Sequence, residues 1–509
     1  MVRSVMVMRA RPRGMRRGMV AEARREARAQ GATTSGRYSS RVRQADSDLL
    51  QWAKEKGAQP MDNFTLREDE ATGVRGVYTK RALEAESIVC EVPRKLALEV
   101  TTTKSKCPID EMDQEFWNKL DWWGKLACLL LDEVKMGNAS TRKFYLDALP
   151  EAIPTPLHWS QEQLSMLQYE PIVEEIAKQR ELWHGLYDRY CSACGSASPP
   201  SREVFVHAIE CVRSRTFSGP YEGSNWETRI KQYGLVLVLA VLYVLGGFGE
   251  AYQAFNGVVA VFLTILFRDL LVQRNPRSIR YVLCPVLDMF NHRSDVESDP
   301  SYEYFRNTFT LTLSKRVEEN EEVCINYGKR GNDELMQYYG FVVPGNKYDS
   351  YTMSNFVDKA AGALKSGDFA DGASEALMSK RRNMLGANDV SGDKVVIRPK
   401  KRGLTDRTLQ TLRVLVSTEE ELSGRAALLD FNSKVSDANE ERALKLMCEV
   451  CENELAECLP TTVGEDEKML ANLSNMKKDL GDVEVKIQAL EFRIAKKRVL
   501  EKYIGFQQG

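Results

Sequence analysis

The residues best placed to do chemistry fall in two stretches. Tyr281–Arg293 reads Tyr-Val-Leu-Cys-Pro-Val-Leu-Asp-Met-Phe-Asn-His-Arg, an apolar run to Leu287 followed by Asp288 and the pair Asn291–His292. Asn and His side chains can pin a bent backbone by local hydrogen bonds, so such a run either ends at a site or simply turns after a buried strand. Glu321–Phe341 carries Tyr327 within Asn-Tyr-Gly, then Asn-Asp-Glu-Leu and Tyr339-Gly-Phe341. A tyrosine hydroxyl can orient an amine without being a strong base. Arg215, in Ser-Arg-Thr-Phe217, can pair bidentately with a carboxylate or serve as a surface salt-bridge arginine. Gly73-Val74-Arg75-Gly76 either lets backbone approach a ligand closely or makes a hairpin turn. Cys191-x-x-Cys194 and Cys448-x-x-Cys451 could together hold zinc through thiolates. The second pair, however, shares a helical stripe with Leu444, Met447, Leu455 and Cys458 that reads as core, and no metal is expected.

Taken together and in this order, the motifs resemble those of SET-domain methyltransferases, in the branch that includes the rubisco large-subunit lysine methyltransferases. The resemblance covers residues 62–344 well and 345–509 more loosely. It implies an α+β fold: a SET-domain β-fold with a knot-like active site, a helical insertion and an all-helical C-terminal domain. It implies S-adenosyl-L-methionine as cofactor and Tyr327 as the catalytic residue. Cofactor contacts would come from Gly73, Val74, Arg75, Gly76, Arg215, Asn291, His292, Tyr339 and Phe341. Phe217, Asp288 and Tyr327 would border the substrate. Val74 stands where the family usually has the first glycine of Gly-x-Gly, and His292 would be structural or in adenine contact. A sulfonium methyl is already activated, so the protein need supply no nucleophile or metal. It must hold a neutral amine in line with the S–CH3 bond and exclude water, and burial helps by lowering a lysine's pKa. The implied function is protein-lysine N-methylation. Alternatives are protein-histidine methylation, a non-catalytic SET-like interaction protein, and a scaffold resting on a membrane.

Other parts of the chain must position these residues. With 509 residues and 43% apolar content, two to four packed domains are expected. Lys plus Arg (71) nearly balance Asp plus Glu (72), which gives no support for a nucleic-acid partner. Eleven cysteines in so long a chain point to a reducing compartment rather than a disulfide scaffold. Residues 1–45 are Arg-rich, acid-poor and hydroxyl-bearing, the composition of an organellar transit peptide or of a disordered basic tail. A plastid is the first expectation for location, with mitochondrion or cytoplasm as alternatives. The expected domains are 46–344, with a helical insertion about 100–210, and a helical domain over 345–509 that resembles a substrate-binding domain. A strand is expected at Phe64–Leu66, helices around Asp48–Ala53 and Trp122–Leu130, and an apolar helix face at Val483, Ile487, Leu490 and Ile494. Residues 233–272 hold two apolar runs, the first of them uncharged from Tyr233 to Gly249. They read as a hairpin that spans or rests on a membrane, as a partner-binding surface, or as two buried helices. A monomer acting on a protein substrate is expected.

Overall fold

The computed structural model describes residues 40–508, apart from 70–72, 103–104, 195–198, 220, 222–225, 248–249, 274–278, 299, 304–305, 366–373, 387–393, 401–402, 424, 426–430 and 475–479. The basic segment expected over 1–45 lies, up to residue 39, outside the described residues. The chain divides into two compact bodies, one of residues 32–153 and 181–328, the other of 154–180 and 329–509.

The first body is built on short, mostly antiparallel strands. β1 (Phe64–Glu68) pairs with β2 (Arg75–Thr79), and the alternation of Phe64 and Leu66 turns both rings and branches inward. β3 (Ile88–Pro93), β8 (Ser301–Glu303) and β9 (Thr308–Thr312) make one sheet in the order β3-β9-β8. β4 (Leu98–Thr101), β5 (Thr216–Gly219) and β6 (Arg280–Leu283) make another in the order β4-β6-β5. β7 (Asn291–His292) and β10 (Cys324–Ile325) form a parallel pair of two residues each. The helix Trp122–Met136 buries Leu126, Ala127, Leu130 and Leu131. It stops at Gly137, whose φ of +53° suits a residue without Cβ. Its Trp122 stacks on Tyr281 with centroids 4.3 Å apart, which ties the helix to β6.

The apolar stretch forms two helices, Trp226–Leu245 and Ala251–Gln273, that pack on each other. Leu237, Val238, Leu239, Val241 and Leu242 are exposed on the first, and Phe255, Phe262 and Phe267 on the second. They are therefore not two buried helices. No helix among the described residues is long and apolar enough to cross a membrane, which corrects the transmembrane expectation. The physical reason is composition: the first helix carries Glu227, Arg229 and Lys231 and the second Arg268 and Asp269, so neither offers the about 20 uninterrupted apolar residues that a spanning helix needs.

In the second body, Leu164, Leu167, Ile172 and Ile176 share one core with Met336, Phe356, Leu412, Leu446, Phe492 and Tyr503. This shared core draws 154–180 away from the insertion expected over 100–210 and moves the expected boundary at 344 back to about 329. β11 (Tyr351–Met353) pairs antiparallel with β12 (Val395–Ile397), so the C-terminal region is helical with one small strand pair rather than all helical. The final helix, Leu480–Gln508, buries Leu490 but also three cations. Lys496 reaches Asp349 at 2.7 Å and also pairs with Asp333, while Lys497 and Arg493 both pair with Asp466, at 2.7 and 2.6 Å. Cys451 is buried in this core. Among the described residues no group of three or more His, Cys, Asp or Glu side chains is arranged to hold a metal ion.

Candidate active site

The Asn–His segment is launched by strain. Val286 is a β-branched residue at φ +72°, a conformation such residues adopt only when their surroundings force it. It opens the turn Leu287–Met289, closed by Asp288 N–H donating to Cys284 O at 3.1 Å. The chain then enters β7, where Asn291 lies opposite Cys324 and His292 opposite Ile325. Just past the pair, Arg293 N–H donates to Ile325 O at 2.9 Å, and Asn326 N–H donates to Ser298 O at 2.9 Å. Asn326 Nδ2 also donates to Val296 O at 3.0 Å. These bonds stitch the two segments together along both sides.

Tyr327 is fixed at this seam. Its N–H donates to His292 Nδ1 at 3.0 Å, and its hydroxyl donates to Phe290 O at 2.9 Å. Because Nδ1 accepts that bond, a neutral His292 ring carries its proton on Nε2, and Nδ1 is not free to act as a base. Gly328, at φ +94°, lets the chain turn away immediately afterwards.

A buried polar cluster lies beneath. Arg215, the last residue of the helix Arg202–Arg215, donates through Nη1 to Asp288 O at 2.9 Å and lies 3.4 Å from its Oδ2. Tyr145 OH donates to the same Oδ2 at 2.8 Å. Burial pushes the Asp288 carboxyl up from the ordinary carboxylate range, against the pull of Arg215 and Tyr145. Burial likewise pushes the Tyr145 phenol well up, so it stays a neutral donor. Asp288 is thus placed to shape the site through Arg215 rather than to border an open channel. Arg75 sits alongside, its side chain engaged with Asp46 at 2.9 Å, Ala148 O at 2.8 Å and Met289 Sδ at 3.1 Å.

The glycine segment divides in two. Gly73 takes φ +66° and donates to Asp69 O at 2.7 Å, while the Val74 side chain is 53% exposed. Gly76 is pressed from above: a Cβ there would lie 2.1 Å from Glu322 Oε1 and 3.1 Å from Asn291 Nδ2. Phe217 is half-buried in β5 opposite Val282. The structure therefore brings Gly76, Arg215, Asp288, Asn291, His292 and Tyr327 into one neighbourhood. Tyr339 and Phe341 belong to the second body, where they flank the left-handed C-cap Gly340 with ring centroids 6.1 Å apart. Sequence reasoning missed Tyr145, Asp46 and Glu322, all remote in sequence from the residues they touch.

The polar atoms left over fit a zwitterionic ligand. Among the described residues, Arg215 Nε and Asp288 Oδ1 are buried without a hydrogen-bond partner, and the Asn291 side chain bonds only through Nδ2. An unused cationic donor and unused acceptors in one neighbourhood suit a group that carries both charges.

A SET-domain family model matches residues 74–328, and a Rubisco LSMT substrate-binding model matches 372–500. The chain belongs to the SET-domain family. That family transfers methyl groups to proteins from S-adenosylmethionine, which is accordingly the cofactor. The ribosomal lysine N-methyltransferase 1 of Saccharomyces cerevisiae is 26% identical over 44% of this chain and 36% of its own length. The actin-histidine N-methyltransferase of Callithrix jacchus is 23% identical over 90% of this chain and 67% of its own. The chloroplastic [fructose-bisphosphate aldolase]-lysine N-methyltransferase of Arabidopsis thaliana is 24% identical over 84% of this chain and 76% of its own. Among solved structures, the SET domain of LSMT bound to lysine and AdoHcy has a TM-score of 0.57 at 18% identity, covering 91% of each chain. Rubisco LSMT bound to AdoMet has the same TM-score at 19% identity, covering 91% of this chain and 92% of its own. The fold is therefore the α+β SET fold with its knot-like site and a helical C-terminal region.

Proposed function

We propose that the chain is a protein-lysine N-methyltransferase. The observation that carries this reading is Tyr327, whose phenol is anchored on Phe290 O at 2.9 Å beside the Asn291–His292 seam. The bound cofactor would supply an electrophilic methyl on a sulfonium. Arg215 and Asn291 would hold its amino-acid part, and His292 would shape the adenine side. The Tyr327 hydroxyl and the Phe290 carbonyl would orient a lysine amine that has already lost its proton to solvent. Lysine is favoured by the ribosomal and aldolase relatives and by the substrate-binding model at 372–500. We assign 372–500 to binding the substrate protein and Phe217 to the lysine side of the site. The Arg-rich composition of 1–45 and the chloroplastic relative support a plastid location for what we take to be a monomer.

Histidine methylation is the second reading, because the actin-histidine relatives match about 90% of the chain. One experiment addresses both. The full chain is incubated with cofactor carrying a tritiated methyl group and a plastid stromal extract, and the labelled protein is hydrolysed to amino acids. Label in methyl-lysine is the expected result. Label in methylhistidine would move the chain to the second reading, and no protein label from any extract would defeat both.

A further inference from the structure

Glu322 has no role in the reading above, yet it touches two of the segments that form the site. Asn291 Nδ2 donates to Glu322 Oε1 at 2.7 Å and to Arg75 O at 2.8 Å. A carbonyl and a carboxylate only accept, so the amide nitrogen must face them and the side chain cannot flip. Both N–H groups are then spent, and Oδ1 takes no hydrogen bond from the described residues. The Glu322 backbone cannot drift, because the next residue, Val323, donates to Val77 O at 2.8 Å. Its carboxylate lies over the Gly76 Cα, where a side chain would collide with it. The second glycine of Gly-x-x-Gly is thus needed to admit Glu322, while the first site of the family pattern tolerates the exposed Val74.

We infer, on the cofactor reading above, that Glu322 is a positioning residue that fixes Asn291 so that its Oδ1 receives the α-ammonium of the cofactor's amino-acid part. Three kinds of donor exist on such a cofactor: the ammonium, the ribose hydroxyls and the adenine amine. A free acceptor on an amide already bonded to a half-buried carboxylate favours the cationic donor, because charge-assisted bonds are the stronger ones. Arg215 would then take the carboxylate of the same group. It is linked to the Asn291 region through Met289, whose Sδ lies 3.6 Å from Arg215 Nη1 and 3.1 Å from Arg75 Nη2.

The test uses the full chain and calorimetric affinity for two probes. S-Adenosylhomocysteine carries the amino-acid part, and 5′-methylthioadenosine keeps the adenosine and the sulfur but lacks it. Glu322→Ala should weaken the first about tenfold, the size of one charge-assisted bond, and leave the second within about twofold. In an Asn291→Ala background, Glu322→Ala should cause no further loss. If Glu322→Ala does not fold, Glu322→Gln carries the same comparison with a smaller, equally ligand-selective loss. Equal weakening of both probes, or additive losses in the double variant, overturns the assignment while leaving the cofactor reading intact. A wild type that binds neither probe defeats the cofactor reading and the assignment with it.

Discussion

At the Asn291–Tyr327 site, residues from five separated stretches touch one another: Gly76, Tyr145, Arg215, Asp288–His292 and Glu322–Tyr327. In the apolar pair Trp226–Leu245 and Ala251–Gln273, neighbours in space are neighbours in sequence, and most large side chains face outward. The two regions lie in the same body and join the same β-strands: Arg215 precedes β5, the pair follows it, and β6 leads into the Asn–His segment. The difference shows what each kind of construction tolerates. The site is over-determined by long-range hydrogen bonds, so removing one group leaves a buried partner unsatisfied. The helical pair packs helix on helix with large side chains facing outward, so changes on that outward face should stay local.

The largest expected effect is at the seam. Tyr327→Phe removes one hydroxyl while the ring still packs, so turnover should fall about a hundredfold or more with cofactor affinity within about threefold. Single-turnover rates beside calorimetry would show it, and near-normal turnover would take Tyr327 out of the reaction. Phe290→Ala comes next. Phe290 is 1% exposed and meets Phe64 edge-on at 6.4 Å. Its loss should cost about 3–5 kcal/mol in denaturant unfolding, as large-to-small changes in packed cores do. Replacing residues 233–272 by a short Gly/Ser linker should do far less to the site, with S-adenosylhomocysteine affinity within about twofold of wild type. The same deletion should make the protein less prone to self-association or vesicle binding, since exposed apolar patches this large mark interaction surfaces. Loss of cofactor binding on deletion would show that the two regions are not independent.

The sequence made the site's main residues legible because each motif is a short run of unusual residue types. Asn291–His292 and Asn-Tyr327-Gly stand out even though a structure is needed to see one donate to the other. Strand β1 and the helix after Asp121 were likewise readable from periodicity, and the apolar helix pair from its two uncharged runs. Glu322 was not, because a glutamate beside another glutamate before a strand reads as solvent-facing; it is the bridge of Glu322 to Tyr78, with Val323 N–H donating to Val77 O, that places it over Gly76. Tyr145 was not, because its partner Asp288 is 143 positions away. The C-terminal helix shows the same limit. Lys496-Lys497 looks like a solvated face, yet both amines are buried against Asp349, Asp333 and Asp466, which sequence separation hides. The segment 154–180 read as part of one helical insertion because its apolar spacing says that it packs, not on what.

The smallest expected effect tests the comparison from its quiet side. Leu242 is 57% exposed on the first apolar helix. A leucine left mostly in water gains little from folding, so Leu242→Ser forfeits little burial, and serine's weaker helix preference costs only about half a kcal/mol. Global stability should therefore move by no more than about 0.5 kcal/mol, the range of ordinary surface substitutions. Cofactor affinity should not move at all, because an aliphatic side chain that faces water can make no hydrogen bond to Asn291, Arg215 or Tyr327. Denaturant unfolding of the variant beside Phe290→Ala measures the contrast directly. If Leu242→Ser costs several kcal/mol, Leu242 is buried in solution, either by a second copy or within the chain itself. Repeating the measurement at tenfold lower protein concentration then decides, since a cost arising from association shrinks on dilution and one arising within the chain does not.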